Sequence, residues 1–431
     1  MAFAPERWSP DIAMNVGAGF ANFARVLRNP NFGIYTAGHS ISLIGSWMQR
    51  IATGWLAWEL TGSGAWLGLV AFADLFPTAV VGPIAGAAAD RWDRLAVTKV
   101  SQALSCLQAV ALCALTASGQ ITIALLVLLT AFNGIVTAFN QPARLALVPA
   151  LLPRSDLPSA VAINSIIFNL ARFIGPAVAG ILIATAGAAA AFAANAVTFL
   201  VFMAALQRIR LAPADERGAE RAGFTSELIA GFRYIFAHPG LRAIFLLMLA
   251  ASIGARPVVE LLPGFAAEVF ASGVGGLAAM TSAVGAGAVM AGLWLGGRGT
   301  GVGLTRLVLA HSLLLAVSII LFVASDALWI ALPALVAAGF SMSTSGIGVQ
   351  TLIQLAVDEA FRGRTLSFYG LVFRGGPALG ALLIGMASEW FGLRLPLGLG
   401  AVLLIAAWVG IAVGRDRLAA ALEGAPPSRT G

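Results

Sequence analysis

The chain has 431 residues, of which 59% are hydrophobic and 10% are charged. A soluble globular protein has about 45 to 50% apolar and about 25% charged residues, so this composition excludes a water-soluble fold. The formal net charge of +7 also suits a nucleic-acid-binding protein. The cations, however, are concentrated in alternate loops between long apolar segments, which favours a membrane protein and argues against a nucleic-acid partner.

Apolar segments recur along the chain at the length of about 20 residues that a helix needs to cross the hydrocarbon core. They predict twelve transmembrane helices. In chain order these cover residues 32–60, 65–89, 97–118, 121–149, 158–185, 188–207, 242–269, 275–296, 304–324, 327–353, 364–388 and 395–414.

The polar stretches between these spans divide the chain into five regions. We predict a cytoplasmic N-terminal segment with an amphipathic helix over 1–30, a six-helix bundle over 31–208, a cytoplasmic linker with an amphipathic helix over 209–240, a second six-helix bundle over 241–415 and a cytoplasmic tail over 416–431. The predicted fold class is an all-α membrane protein with two pseudo-symmetric six-helix bundles. Because Lys and Arg are enriched in the loops on the side of both termini, the positive-inside rule places both termini in the cytoplasm.

Two segments share one pattern around a proline. The fifth span contains ARFIGPAVAGILI around Pro176, and the eleventh contains FRGGPALGALLIG around Pro377. Both have an upstream arginine and flanking glycines: Arg172, Gly175 and Gly180 in the first, and Arg374, Gly376 and Gly380 in the second. Since about half the chain separates the two prolines, they indicate two repeats of parallel orientation, as in two-bundle transporters.

Six ionisable side chains fall deep inside predicted spans. They are Arg50, Asp74, Arg172, Arg256, Glu260 and Arg374. At about 3 kcal/mol each, exposing all six to lipid would cost on the order of 18 kcal/mol, more than the stability of a typical protein. They must therefore face a hydrated interior or one another, and we regard them as candidates for substrate binding and proton coupling.

The depth of these residues suggests partners. Arg50 and Asp74 lie at matching heights on adjacent helices, and Arg256 and Glu260 are four residues apart, so we hypothesise two intramembrane Arg–carboxylate pairs. One interpretation is a permanent lock between helices; the other is a carboxylate that takes up a proton and releases its arginine to substrate. Arg172 and Arg374 have no obvious acidic partner, which suits either an anionic solute or backbone carbonyls near the Gly-Pro breaks.

The remaining spans give further expectations. The third, sixth, ninth and twelfth have no charged residue in their middle stretches and are predicted to be an outer scaffold. His39 and His311 are expected to be hydrogen-bonded histidines at helix interfaces, with a proton relay as the alternative. Cys106 and Cys113 are interpreted as packing residues. There is no ATP-binding loop and no zinc motif, so we predict no cofactor, no metal and no enzymatic activity.

The loop after the second span supplies a family resemblance. GAAADRWDRLAVTK resembles the signature of the major facilitator superfamily, with Gly86, Asp90, Arg91 and Arg94 at matching positions, whereas Asp93 and Leu95 depart from it. The resemblance implies the major facilitator fold and a cytoplasmic gate in which Asp90 bonds across to the other bundle. We group Arg144, from the fourth span, with this gate.

Longer segments resemble the macrolide-efflux and enterobactin-exporter branch of that superfamily. They include SWMQRIATGWLAWELTGSG, FNQPARLALVPALLPRSDLPSAVAINSIIFNLARFIGPAVAG and VDEAFRGRTLSFYGLVFRGGPALG. The pattern of Gly175, Pro176 and Gly180 is similar to a fifth-helix motif of antiporters. The resemblance implies proton-coupled export of an amphiphilic compound, such as a drug, siderophore or other metabolite, across a bacterial cytoplasmic membrane. The unpaired arginines extend this expectation to an anionic compound, and we expect a monomer because the two-bundle design needs no second copy. The alternatives are uptake of an organic anion, sugar or lysophospholipid, and a membrane sensor or intramembrane enzyme.

Overall fold

The computed structural model describes residues 22–211, 224–298 and 303–423, and all regular secondary structure within these ranges is helical. Most of the predicted N-terminal helix, much of the linker and the end of the tail lie outside the described residues. Residues 22–27, the described part of the N-terminal helix, are helical.

The first half consists of five helices. They are α1 (Pro30–Thr61), α2 (Gly64–Arg91), α3 (Arg94–Ala117), α4 (Ile123–Leu151) and, after a 3₁₀ turn at Arg154–Asp156, α5 (Leu157–Arg208). Local sequence explains where they begin and end. Asn29 accepts hydrogen bonds from the backbone N–H groups of Asn31 and Phe32, and Gly62 ends α1 in the left-handed conformation with φ 58°.

Helix α5 has 52 residues and contains two crossings. If it were straight, at about 1.5 Å per residue it would extend about 78 Å, more than twice the thickness of a hydrocarbon core. Gly187 has φ 78° and ψ 172°, a conformation that breaks the helix and suits glycine. The turn between the predicted fifth and sixth spans therefore falls at this residue.

The second half follows the linker helix α6 (Phe224–Ala237). Its elements are α7 (Pro239–Gly254), α8 (Val258–Gly264) with a π turn at Phe265–Val269, α9 (Gly273–Arg298), α10 (Leu304–Ala324), α11 (Leu328–Ala356), α12 (Glu359–Phe391), α13 (Arg394–Ala412) and the terminal α14 (Arg415–Glu423). Helix α6 packs against α12, where Tyr234 stacks on Phe361 with ring centroids 4.5 Å apart.

The seventh span is not the continuous helix that the sequence predicts. Helix α7 ends at Gly254 and α8 begins at Val258, with Pro257 in the break. Proline has no N–H to donate, and its ring clashes with the preceding turn. The backbone N–H groups of Ala255 and Arg256 both bond to the carbonyl of Ala251, which changes the direction of the residues that follow.

The structure is consistent with twelve crossings. Within the described residues, ten helical segments are long and apolar enough to span a membrane, and one of them, Arg154–Arg208, contains two crossings. Helix α1 is absent from these ten, although its 32 residues exceed the required length. Polar side chains such as His39, Gln49 and Arg50 lower the mean hydropathy of α1. The helix can still cross the membrane because these side chains face the interior.

The two halves meet at one end of the helices and separate at the other. At the end that carries the α1–α2, α8–α9 and α12–α13 turns, Gly68 lies against the carbonyl of Ala381, and Gly180 lies against Ala278 of α9. Ser63 also donates to Glu389 at 2.7 Å. We call this the closed end. We call the opposite end the open end. A Cβ added to any of four glycines there would have no neighbour within 4 Å, namely Gly82, Gly86, Gly292 and Gly296.

Candidate transport cavity

A cavity of about 670 Å³ lies between the two halves. Its walls come from α1 to α5 of the first half and, in the second half, from Arg256 in the break before α8 and from α8, α9, α11 and α12. The predicted third and sixth spans contribute Gln102, Gln108 and Asn195, so the prediction that they form an outer scaffold is wrong. The prediction was based on the absence of charged residues in these spans. An amide side chain is polar but has no charge, so the prediction did not take it into account.

The structure places all six deep ionisable residues on the cavity wall. They are Arg50, Asp74, Arg172, Arg256, Glu260 and Arg374. Arg144 also lines the cavity, about seven residues from the open end of α4.

Arg50 binds two carboxylates. Its Nη2 donates to Oε1 of Glu260 at 2.6 Å, and its Nη1 lies 3.5 Å from Oδ2 of Asp74. Asp74 belongs to the same half as Arg50, whereas Glu260 belongs to the other half. The shorter ion pair therefore joins α1 to α8 across the interface, and the side chain of Glu260 is only 13% exposed.

The hypothesised pair of Arg256 and Glu260 does not form. Arg256 lies in the break before α8, so the two residues do not share a regular helical face. Its guanidinium instead lies 4.2 Å from the ring centroid of Phe373 and donates to the carbonyl of Met342 at 3.3 Å. Among the described ion pairs, none includes Arg256.

Arg172 lies beside an aromatic residue of the first helix. Its guanidinium is 5.7 Å from the ring centroid of Trp47, which Arg50 also approaches at 5.6 Å. Gly175 allows this arrangement, because a Cβ at that position would lie 2.6 Å from the Cβ of Trp47. Arg172 is also close enough to Arg256 for the two positive charges to repel each other.

The other two cavity arginines contact uncharged side chains. Arg374 donates to the side-chain oxygen of Gln141 on α4, so this contact also crosses between the halves. Arg144 contacts the ring of His39. A guanidinium can only donate, so the ring nitrogen of His39 accepts. This geometry agrees with the interpretation of His39 as a hydrogen-bonded interface residue.

Buried amides form a network in the first half that the sequence analysis missed. Asn195 donates to Gln49 at 2.8 Å, and Gln49 donates to Gln108 at 2.9 Å. These side chains connect α1, α3 and the second crossing of α5. The spacing of Gln102, Ser105 and Gln108 along one face of α3 was the signal in the sequence that could have indicated a polar wall.

The motif residues from the sequence separate into different environments. The side chains of Asp90 and Arg91 lie outside the part of the chain that the structure describes, while Arg94 donates to the carbonyl of Ala146 at 3.2 Å. The glycine motifs also differ, since Gly180 contacts α9 of the other half, whereas Gly380 packs against Ile253 and Pro257 of its own half. The remaining motif residues are all in continuous helix: Gly86, Gly175, Pro176, Gly376 and Pro377.

The model of a family within the major facilitator superfamily, described as "transmembrane secretion effector", matches residues 21–424 of the chain. The chain belongs to this family. It is therefore a multi-pass membrane transporter and not an enzyme. The fold, with two six-helix bundles around a central cavity, is the one that the resemblance implied.

Relatives of known activity match most of the chain. The Staphyloferrin A transporter of Staphylococcus aureus is 28% identical over 81% of this chain and 87% of its own length. The multidrug efflux pump Tap of Mycolicibacterium fortuitum is 26% identical over 84% and 89%. The enterobactin exporter EntS of Escherichia coli is 26% identical over 77% and 75%.

Solved structures support the same fold. A nucleoside transporter, NupG, superposes with a TM-score of 0.67 over 90% of this chain and 98% of its own, at 15% identity. A bacterial homologue of the lysosomal transporter Spinster, in an inward-facing and occupied conformation, gives 0.67 over 90% and 96%, at 16% identity. At these identities the likeness concerns the fold alone.

Proposed function

We propose that this protein exports a small amphiphilic organic anion by alternating access and that protons drive the export. The charge of the cavity carries the proposal. Five arginines line it, against two acids: Arg50, Arg144, Arg172, Arg256 and Arg374, with Asp74 and Glu260. A cavity with an excess of positive charge and low-dielectric walls attracts anions and repels cationic solutes.

The apolar part of the substrate is inferred from the aromatic side chains beside these arginines. Trp47 lies under Arg50 and Arg172, and Phe373 lies under Arg256. Phe168 packs edge-on against Trp47 and also lines the cavity. A compound with a flat apolar body and an acidic group fits such a site, because aromatic rings bury its body while guanidinium groups bind its carboxylate.

Proton coupling is assigned to Glu260 and Asp74. Glu260 joins the halves through Arg50 near the closed end, so opening that end must separate the two groups. Protonation of Glu260 would remove its negative charge and weaken the ion pair. A proton from the far face can reach Glu260 only after the closed end has opened, and its release at the open end restores the charge that re-forms the ion pair with Arg50.

The orientation in the membrane follows from the positive-inside rule. With both termini in the cytoplasm of a bacterial cell, the open end faces the cytoplasm and the closed end faces outward. The proposed units are a bundle over 31–208, a linker over 209–240 and a bundle over 241–415. The cavity is complete in one chain, so we propose that the protein works as a monomer.

Everted membrane vesicles provide the test. In vesicles acidified inside and loaded with a quenched pH dye, addition of an anionic substrate should restore fluorescence as protons leave in exchange. The probes are 2,3-dihydroxybenzoate and citrate as anions and ethidium as a cation. A response to ethidium alone would contradict the anion proposal. A response that requires the opposite gradient would indicate uptake.

A pair of variants tests the coupling. Glu260→Gln removes the carboxylate that binds Arg50 across the two halves. Asp74→Asn removes the acid that lies farther from Arg50 and belongs to the same half as Arg50. We expect Glu260→Gln to abolish gradient-driven exchange and to retain anion binding, while Asp74→Asn lowers the exchange rate less. Unchanged exchange and unchanged pH dependence in both variants would contradict a coupling role for these acids.

A further inference from the structure

Uncharged polar side chains are distributed unevenly over the cavity wall. Each of the helices α1 to α5 contributes serine, threonine, asparagine or glutamine side chains to it. Among the described lining residues of the second half, only Ser343, Gln350 and Tyr369 carry an uncharged hydroxyl or amide. The neutral hydrogen-bonding groups of the cavity therefore lie mainly in the first half.

Helix α4 places a row of such groups on the wall. Thr130, Asn133, Thr137 and Asn140 recur at spacings of three and four residues and all line the cavity, so they share one face of the helix. We call these four residues the α4 stripe. Arg144 follows Asn140 by four residues and also lines the cavity, and Cβ atoms at this spacing are about 5 to 6 Å apart. Helix α4 thus presents neutral polar groups next to a cation.

Two side chains of the α4 stripe have unused hydrogen-bonding groups. Oδ1 of Asn133 accepts from Ser105 at 3.0 Å, and its Nδ2 amino group has no hydrogen bond among the described residues. The side-chain oxygen of Asn140 is buried and has no partner in the described part of the chain. A buried polar atom without a partner is unfavourable. A solute that offers both an acceptor and a donor would satisfy these two side chains.

The amide network fixes the wall beside the α4 stripe. Nε2 of Gln108 donates to the backbone carbonyl of Leu129, at 3.3 Å. Because a carbonyl only accepts, this bond turns the side-chain oxygen of Gln108 towards Gln49, which in turn accepts from Asn195. Asn195 is fully buried, so it positions Gln49 and does not contact a solute. A wall that is fixed before binding loses less conformational entropy when a solute binds.

We infer that the α4 stripe is a subsite for hydroxyl groups, and that the substrate is an aromatic carboxylate with several hydroxyl groups on its ring. This inference rests on the proposed function and narrows its substrate class. A hydroxyl both donates and accepts, which matches the unused oxygen of Asn140 and the unused amino group of Asn133. An ether oxygen only accepts, and an ammonium group only donates and is repelled by the cavity arginines.

The test measures binding to the purified full-length protein in lipid nanodiscs by isothermal titration calorimetry, at a mildly acidic pH that keeps phenols neutral. The probes share a carboxylate and a flat ring: benzoate, 3,4,5-trihydroxybenzoate and 3,4,5-trimethoxybenzoate. We expect trihydroxybenzoate to bind at least about tenfold more tightly than benzoate, because benzoate leaves the polar groups of the α4 stripe unpaired. Trimethoxybenzoate cannot donate and should bind no more tightly than benzoate.

Substitutions in the α4 stripe assign the subsite. Asn133→Leu and Asn140→Leu each remove an amide at similar side-chain size. Each should weaken trihydroxybenzoate binding about tenfold and change benzoate binding by less than about twofold. The matched control is Asn164→Leu, because Asn164 is also half-buried but is not among the described residues that line the cavity. This variant should bind both ligands as the wild type does.

The outcomes separate this inference from the proposed function. Three results would overturn the hydroxyl subsite while anion transport stands: equal affinity of the wild type for benzoate and trihydroxybenzoate, equally tight binding of trimethoxybenzoate and trihydroxybenzoate, or unchanged trihydroxybenzoate binding in both leucine variants. The comparison of ligands uses the wild type alone, so it decides the question even if a variant fails to fold. Binding of ethidium with no binding of any benzoate would overturn both the subsite and the proposed function.

Discussion

The first span of each half carries an arginine that lines the cavity, Arg50 and Arg256, yet the two residues have different surroundings. Arg50 is held between Asp74 and Glu260, whereas Arg256 lies over Phe373 and has no described acidic partner. A duplicated backbone thus places two arginines on the same cavity. The neighbouring side chains decide that one joins the halves and that the other faces the substrate.

The cavity walls that the two halves contribute also differ in polarity. The first half has an amide network through Gln49, Gln108 and Asn195, in which the side chains bond one another. The second half presents Met342, Ile347 and other apolar groups to the same cavity. A hydrogen-bonded wall is geometrically restricted, because each amide fixes its neighbour. We therefore expect the first half to change shape less than the second during transport.

The largest expected effect distinguishes the two arginines. Arg50→Gln leaves Asp74 and Glu260 as unpaired acids in a partly buried site, and it should lower the free energy of unfolding by about 3 kcal/mol. Arg256→Gln leaves no acid unpaired and loses mainly a cation–π contact, about 1 kcal/mol. Thermal unfolding in detergent measures both, with the wild-type chain as reference. Equal losses would contradict the different roles assigned to the two residues.

The second prediction compares Gly180 and Gly380, the glycines that follow the proline in the two motifs. Gly180→Leu places a side chain against Ala278 of the other half, so the closed end cannot close and exchange should fall by about tenfold or more. Gly380→Leu meets the carbonyl of Ile253 within its own half, so it should destabilise the protein by about 1 to 3 kcal/mol through overpacking.

Spin labels separate these two effects. With labels at Gln120 and Trp329, at the closed ends of the two halves, Gly180→Leu should lengthen the distance distribution in electron double resonance, and Gly380→Leu should not. Both labelled proteins need Cys106 and Cys113 replaced by serine. An unchanged distance in Gly180→Leu would show that this glycine is not part of the closure.

The smallest expected effect concerns two helix starts. Helix α3 begins after Asp93, whose side chain accepts from the N–H of Leu95 at 2.9 Å. Helix α10, its counterpart, has no side-chain cap of its own, and Glu423 of α14 accepts from the N–H groups of Gly303 and Thr305. Asp93→Ala and Glu423→Ala should each cost about 1 kcal/mol. In addition, Glu423→Ala should release α14, which proteolysis of the C-terminus would detect.

The cap that Glu423 forms on α10 predicts a pH dependence with a defined sign. Burial raises the pKa of Glu423, but hydrogen bonds from Thr305 and Gly303 outweigh burial and lower the pKa below its ordinary value of 4.5. A carboxyl with a lowered folded-state pKa stabilises the protein above the unfolded pKa and loses that contribution as the pH falls through the folded pKa. The wild type should therefore lose stability below about pH 4.5 more steeply than Glu423→Gln.

The sequence predicted where the helices are and which charged residues lie deep in the membrane, but it did not predict every partner. Arg50 and Asp74 were matched correctly by their depth on adjacent helices. The pairing of Arg256 with Glu260 was wrong, because a spacing of four residues places side chains together only when the helix is continuous, and Pro257 interrupts it.

The sequence by itself determined the membrane-spanning architecture, the two repeats and the set of buried charges, because the bilayer selects apolar length and penalises each exposed charge. Only the tertiary structure decided that Glu260 joins Arg50, that amides of α3 and α5 line the cavity and that the halves close at one end. These features depend on contacts between distant segments, and no local pattern of hydropathy or charge contains their distances.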